Sequence, residues 1–256
     1  MKISIVTICF NNENEIRETI ESVVNQKYND IEYIIIDGGS KDKTIDIIHE
    51  FSTSISRIVS EPDKGIYDAI NKGIRFATGE YVGLIHAGDR LYDEHVIEKI
   101  ALHFKNNPGL ESLYGNALVE NSRKKIIRID KSPKYSKTLF KYGWFLPHES
   151  FYVKTSLFDK YGYYKLNYKI AADYELVLRF LYFNHVSAGL LDEYIYYFSA
   201  GGISNKNMNS IIEQNKECVA AWGDNNSSIP FYTIILKLLR KIFLYGAAMY
   251  RNKRTI

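Results

Sequence analysis

At 256 residues, with 46% hydrophobic and 25% charged side chains, the chain has the composition of an ordinary globular protein and room for one large domain or a domain with an appendage. Its two cysteines, Cys9 and Cys218, have no second thiol nearby, which argues against a disulfide framework or a zinc–thiolate site and suits a reducing compartment. The net charge of +3 hides an asymmetry: no acid follows Asp224, whereas Lys237, Arg240, Lys241, Arg251, Lys253 and Arg254 do, and taking those six from the 33 basic residues leaves 27 against 30 acids. A body charge of −3 argues against nucleic acid as the main ligand, which needs an extended basic surface.

The first hundred residues alternate between two hydrophobic periods. ISIVTICF (3–10) is a continuous apolar run, and without a small-residue cleavage site it reads as a first strand rather than a signal peptide. NENEIRETIESVVNQ carries Ile16, Ile20, Val23 and Val24 at helical spacing. IEYIIID (31–37) is a β-branched strand, and GGSKDKTIDIIHEF follows as a helix with Ser40 as its expected N-cap and Asp42 and Asp46 in or near its first turns. SRIVS (56–60), GIYDAINKGIRFA (65–77), EYVGLI (80–85) and YDEHVIEKIALHFK (92–105) continue as strand, helix, strand and helix. Such alternation implies right-handed crossovers and a mainly parallel sheet. Beyond residue 110 the pattern loosens. SLYGNALVE and KKIIRID predict a hairpin across NSR, AADYELVLRFLYF (171–183) a helix, EYIYYFSAGGIS (193–204) a strand ending in a loop, and NKNMNSIIEQNKECVAAWG a further helix. The 21 tyrosines, several of them between 135 and 200, read first as packing residues.

Four strands end in polar, turn-prone residues: TICFNN, IIIDGGS, VSEPDKG and LIHAGD. In a parallel sheet these carboxyl ends share one edge, where open α/β sheets bind ligands, so Asn11, Asp37, Asp63 and Asp89 are expected to converge. Gly38 and Gly39 permit close backbone approach without forming a G-x-G-x-x-G fingerprint, which disfavours a dinucleotide-dependent dehydrogenase, and no Walker pattern is present. A nucleotidyltransferase would need a basic glycine-rich loop near the N-terminus, and TICFNNENE is not one.

With ISIVTICFNNENEIRETIESVVNQKYNDIEYIIIDGGSKDKT, SEPDKGIYDAINKGIRFATGEYVGLIHAGD and AADYEL in this order, roughly residues 1–200 resemble the family-2 glycosyltransferases of GT-A fold, in particular those of bacterial surface-polysaccharide assembly. The resemblance implies an α/β, Rossmann-like domain with a mainly parallel sheet. It also implies an inverting enzyme that moves a sugar from a nucleotide-diphospho-sugar to a hydroxyl of a saccharide or lipid-linked acceptor. Carried over position by position, it puts Thr7, Phe10, Asn11, Asp37, Asp63, Lys64 and Asn71 at the nucleotide sugar. Asp89 becomes the carboxylate for Mg2+ or Mn2+, whose charge would offset that of the departing diphosphate. Asp173 becomes the catalytic base, and His148 and Glu149 of WFLPHESFY fall near the acceptor. Read without the resemblance, Asp173 is better explained as an acid at a helix N-terminus. Three departures stand out: Gly38, Gly88 and Ala172 occupy positions where many members carry a further acid. They keep open a rival reading, a catalytically silent nucleotide-sugar-binding or scaffold protein in a membrane assembly. His86 reads as a hydrogen-bonding partner rather than a ligand, since hard Mg2+ prefers oxygen.

The expected organisation is a transferase domain over 1–204, with a nucleotide-sugar half (1–109) and an acceptor half (110–204), followed by a C-terminal helical region over 205–256. In FYTIILKLLRKIFLYGAAMYR (231–251), Lys237, Arg240, Lys241 and Arg251 lie close to one stripe, opposite Ile235, Leu238, Leu239, Ile242, Phe243, Gly246 and Met249. The charges interrupt the apolar run too early for a membrane span. An amphipathic helix of this kind fits an anionic bilayer surface, or packs on the domain with its basic face in water. The first reading places the protein in the cytoplasm, peripheral at the inner face of the cell membrane.

Overall fold

The structure is a computed structural model, described for residues 1–200 and 208–240. The order is β1 (Ile3–Cys9), α1 (Ile16–Val24), β2 (Ile31–Asp37), α2 (Thr44–Glu50), β3 (Arg57–Ser60), α3 (Ile66–Phe76), β4 (Tyr81–Leu84), β5 (Arg90–Leu91), α4 (Val96–Asn106), β6 (Ser112–Glu120), β7 (Ile126–Asp130), α5 (Thr138–Lys141), β8 (Tyr152–Lys154), α6 (Ser156–Tyr161), α7 (Ala172–Val177), β9 (Ala188–Ser199) and α8 (Met208–Gly223). A π-helical segment, Leu178–Phe183, continues α7, and residues 232–240 are helical.

The strands form one sheet in the order β3-β2-β1-β4-β8-β6-β9-β5, with β7 paired to β6. Parallel pairing dominates, in the block β3-β2-β1-β4 and between β6 and β9, while β8, β5 and β7 run antiparallel to their neighbours. All seven residues of β1 are buried, as expected of a central parallel strand covered on both faces. Its alternate side chains feed two cores: Val6 and Ile8 join Ile34, Ile36, Ile70 and Ile74 on one face, and Ile3 and Ile5 join Ile35, Ile20, Ile97 and Ile100 on the other. Helix α3 lies close against the sheet because residue 73 is glycine; a Cβ there would stand 2.3 Å from Val6 Cγ1.

Several boundaries differ from the expectations. Ser40 does not cap α2: Asp42 Oδ1 accepts from the Thr44 amide and hydroxyl, while Ser40 is drawn back to Asp37. The helix expected from residue 92 starts at Val96, because Arg90 and Leu91 pair with β9 first. The strand expected from 193 starts at Ala188, in long parallel register with β6. The hairpin of β6 and β7 forms as expected. Among the described tyrosines of the second half, Tyr152, Tyr164, Tyr168, Tyr174, Tyr182 and Tyr196 are core residues.

Helix α8 supplies Cys218, Ala221 and Trp222 to the same core as α7. In the 232–240 helix Lys237 turns inward, its Nζ 3.0 Å from Cys218 Sγ, and Thr233 donates to Lys141 O at 2.6 Å. Phe231, Ile235, Leu238 and Leu239 face outward, Phe231 at 88% exposure. The expectation that Lys237 belongs to a water-facing basic stripe is therefore corrected, because packing against α8 takes it. Lys241, Ile242, Phe243, Gly246, Met249, Arg251, Lys253 and Arg254, and the proposed boundary at 204/205, lie outside the described residues.

Within α7 and its continuation, fully buried Glu175 pairs with Arg179 at 3.0 Å, and Arg179 also donates to the carbonyls of Tyr161, Gly162 and Tyr163. Removing one partner strands a buried charge. Glu175→Ala is expected to cost about 3–5 kcal/mol in equilibrium urea unfolding.

Candidate functional site

A cleft of about 1070 Å³ opens at the carboxyl ends of the parallel strands. Of the residues expected at a site, Phe10, Asp63, Asp89, His148, Glu149 and Asp173 line it; Thr7, Asn11, Asp37, Lys64 and Asn71 do not.

The second group holds the loops that form the wall. Buried Thr7 is hydrogen-bonded to Tyr33 Oη at 3.0 Å. Asp37 ends β2, and its Oδ2 accepts from the Gly39 and Ser40 amides at 3.2 and 3.0 Å and from Ser60 Oγ at 2.6 Å. These contacts fold the Gly38–Ser40 turn, in which Gly39 takes φ +81°. Asn11, at φ 53°, ties that turn to the β1–α1 loop: its Oδ1 accepts from the Lys41 amide at 2.9 Å and its amide donates to Ser40 Oγ at 2.8 Å. Lys64 is exposed and only its amide is engaged, by Asp68. Asn71 is buried and makes a two-point bond to the Tyr164 backbone at 2.8 and 2.9 Å.

On the cleft side, Phe10 is 59% exposed and rests over Gly38. Asp63 is held by Lys72, Nζ to Oδ1 at 2.7 Å, and its Oδ2 would stand 2.9 Å from a Cβ at residue 38. Lys72 is a contact not expected from the sequence, although its i,i+4 spacing from Asp68 on α3, 3.7 Å from Nζ to Oδ2, sets it on the face that carries acids.

Asp89 shows why a carboxylate follows a glycine at the end of an apolar strand. Gly88 takes φ +100°, which L side chains rarely adopt, and turns the chain from β4 into β5. Buried Thr19 on α1 clamps this turn, donating to Asp89 O at 2.7 Å and accepting from the Gly88 amide at 3.0 Å. Antiparallel pairing of β5 with β9 then brings the Ser199 amide 2.8 Å from Asp89 Oδ1. The carboxylate is only 5% exposed. Burial, reinforced by Glu149, raises its pKa well above the usual range, against the Ser199 bond and His148.

Asp173 sits in the first turn of α7 with its Oδ1 on the Tyr174 amide at 2.7 Å. Burial raises its pKa and His148 opposes that rise. The approach to α7 is fixed from α8, where the Glu217 carboxylate accepts from the amides of Lys169, Ile170 and Ala171 at 2.7, 2.9 and 2.8 Å. Trp222 adds a bond to Tyr174 Oη at 2.9 Å. Nothing in the sequence singles out Glu217.

His86, His148 and Glu149 complete the inner wall. His148 Nδ1 lies 3.4 Å and His86 Nε2 4.0 Å from Glu149 Oε1, while Tyr196 Oη donates to Glu149 Oε2 at 3.1 Å. Burial alone would depress the His148 imidazole, but Glu149, with Asp173 and Asp89, holds it up at about 9. Burial would raise Glu149, yet His148 and His86 bring it to about 2. Desolvation takes His86 down to about 4, so it is neutral at pH 7.

A Rossmann-like sheet with acids gathered at its carboxyl edge is the architecture of the GT-A glycosyltransferases, and solved structures agree. The chain superposes on residues 1–349 of Staphylococcus aureus TarS in complex with UDP-GlcNAc with a TM-score of 0.68, at 15% identity, covering 100% of this chain and 92% of that one. On the mannosyltransferase PcManGT of Pyrobaculum calidifontis, in complex with GDP-Man and Mn2+, the TM-score is 0.64 at 15% identity, covering 99% and 75%. The glycosyl transferase family 2 profile matches residues 4–167; the chain belongs to that family and is a glycosyltransferase. Among its relatives, an uncharacterized glycosyltransferase of Mycobacterium tuberculosis is 32% identical over 182 residues, 69% of this chain and 68% of the relative. A PGL/p-HBAD biosynthesis glycosyltransferase of Mycobacterium bovis is 27% identical over 194 residues, 73% and 72%.

The contrast between wall and cleft residues is measurable. Asn71→Ala, which leaves a buried amide and carbonyl of Tyr164 without partners, is expected to lose about 1–3 kcal/mol of stability by urea titration. Donor affinity measured by calorimetry should fall less in Asn71→Ala than in Phe10→Ala.

Proposed function

We propose that this glycosyltransferase moves a sugar, with inversion, from a nucleoside-diphosphate donor to a hydroxyl of a saccharide or lipid-linked acceptor in polysaccharide or glycolipid assembly. The single observation that carries this is the presence of two acids from distant parts of the chain, buried Asp89 and half-buried Asp173, in one cleft beside an exposed aromatic ring. Relatives and neighbours support the substrate class through the UDP, UDP-GlcNAc and GDP-Man of the solved complexes and the PGL/p-HBAD biosynthesis named for the M. bovis relative.

Phe10 offers a face for the base, and the Asp63 carboxylate lies against Gly38, where many family members carry a second acid. Asp37, Asn11 and Thr7 serve the nucleotide indirectly, by folding the turn and strand that face it. Asn71 supports the loop at Tyr164, and Lys64 stands at the rim. A divalent ion such as Mg2+ or Mn2+ supplies positive charge next to the departing diphosphate. The donor chemistry fits such an ion: Asp89 Oδ2 makes no hydrogen bond among the described residues, and unpartnered imidazole nitrogens of His86 and His148 are close by. Asp173 takes the proton of the acceptor hydroxyl as the oxygen attacks the anomeric carbon from the face away from the nucleotide. The acceptor contact expected of His148 and Glu149 is not carried forward, because Glu149 is buried and committed to Tyr196 and the two imidazoles. No observation favours the rival reading of a silent binding protein, since both acids face the cleft despite the neighbouring Gly88 and Ala172.

The outward apolar row Phe231, Ile235, Leu238 and Leu239 supports a peripheral position on a cytoplasmic membrane face, with residues 205–256 as the contacting region. No helix among the described residues is long and apolar enough to cross a membrane.

Two experiments test these readings. Nucleoside diphosphate release from UDP-, GDP- and dTDP-sugars, with membrane lipid extract as acceptor, should single out one donor and fall about 10²–10⁴-fold in Asp173→Asn. Because Asp173 must be ionised, activity should be lost as pH falls through a value above the ordinary aspartate pKa of about 3.9, and this limb should be absent from the residual activity of the mutant. In vesicle sedimentation, changing Phe231, Ile235, Leu238 and Leu239 together to serine should abolish binding to anionic bilayers; unchanged binding would remove the membrane role.

A further inference from the structure

The least satisfied polar groups of the molecule lie together. Both ring nitrogens of His86 and Nε2 of His148 are buried without a hydrogen-bond partner. Leaving such a group unpaired costs about 1–3 kcal/mol, and a cation held on His86 Nε2 would remove one of these costs. His86, His148 and Glu149 each present one donor atom, and these atoms lie within 4.8 Å of one another. We propose that His86, His148 and Glu149 form a two-imidazole, one-carboxylate site that binds a borderline divalent metal of the Mn2+, Co2+ or Zn2+ type directly, before and without the nucleotide.

Three observations carry this. Donors at about 2.0–2.2 Å from a tetrahedral ion stand about 3.4 Å apart. The His148 Nδ1 to Glu149 Oε1 separation is already 3.4 Å, and the 4.0 Å from His86 Nε2 needs only a small contraction. Tyr196 Oη holds Glu149 Oε2, which leaves Oε1 turned to the imidazoles, the outer-shell arrangement that orients a ligating carboxylate. The two rings stand 5.4 Å apart between centroids on separate segments, the loop after β4 and the turn at His148–Ser150. Imidazole nitrogen favours these metals over Mg2+, which takes oxygen donors and water. The role of the ion beside Asp89 rests on the transferase reading above, but its binding does not.

The test is titration of chelator-treated full-length protein with CoCl2 in the absence of nucleotide, followed by visible absorption, with Zn2+ and Mg2+ as competitors. The expected result is one Co2+ per chain with ligand-field bands, displaced by Zn2+ and not by Mg2+. Affinity should drop at least tenfold in both His86→Ala and His148→Ala, and about 10–100-fold in Tyr196→Phe, which keeps all three ligands. Absence of Co2+ binding by the folded wild type, or binding that survives in both histidine variants, overturns the site. If nucleoside diphosphate release proceeds with Mg2+ while Co2+ does not bind, the site fails and the transferase reading stands. Co2+ binding without turnover of any donor upholds the site and counts against that reading.

Discussion

Parallel pairing of β1 with both β2 and β4 is the constraint on which the rest of the molecule depends. The register matches Cys9 to Asp37 and Val6 to Leu84, and β2 in turn matches Asp37 to Ser60. Three strands that rise together must release their chains at the same edge, so the turns after them crowd into one place. Because parallel strands need cover on both faces, the turns after β1, β2 and β3 each lead into a helix that returns over the sheet, and α4 follows once β5 has formed. Those helices also serve the site: α1 brings Thr19 to the Asp89 turn, and α3 brings Lys72 to Asp63.

The second half of the chain completes this edge from the opposite direction. Strand β9 delivers the Ser199 amide to Asp89, and α7 delivers Asp173. The position of Asp173 is in turn set by α8, whose Glu217 gathers three consecutive amides just before the helix. A region that could pass for an appendage thus holds the proposed base in place. Burying several acids together is electrostatically costly, and the imidazolium of His148 offsets part of that cost. The same enclosure raises Asp173, which suits a carboxylate that must accept a proton near neutral pH.

The parallel half of the fold was legible because its strands are continuous β-branched runs and its helices keep strict spacing. Boundaries slipped where tertiary pairing decided them: β5 exists only because β9 lies opposite, and β9 begins early because β6 offers a long parallel edge. Within the cleft, Phe10, Asp63, Asp89 and Asp173 were legible from strand-end and helix-start positions together with the resemblance. Thr7, Asp37 and Asn71 were legible as important positions, but their side chains turn to hydrogen bonds inside the wall. The grouping of His86, His148, Glu149 and Tyr196 could not be read, because it joins four segments whose only common feature is their meeting in three dimensions. The inward turn of Lys237 was hidden for the same reason.

The most direct test of the central claim is a crystal structure of the protein with whichever of UDP and GDP it binds. The diphosphate is expected beside Asp89, the base against Phe10 and Asp63, and Asp173 facing the open side of the cleft where the sugar would project. A nucleotide bound outside the cleft, or with its diphosphate turned away from Asp89, would contradict it.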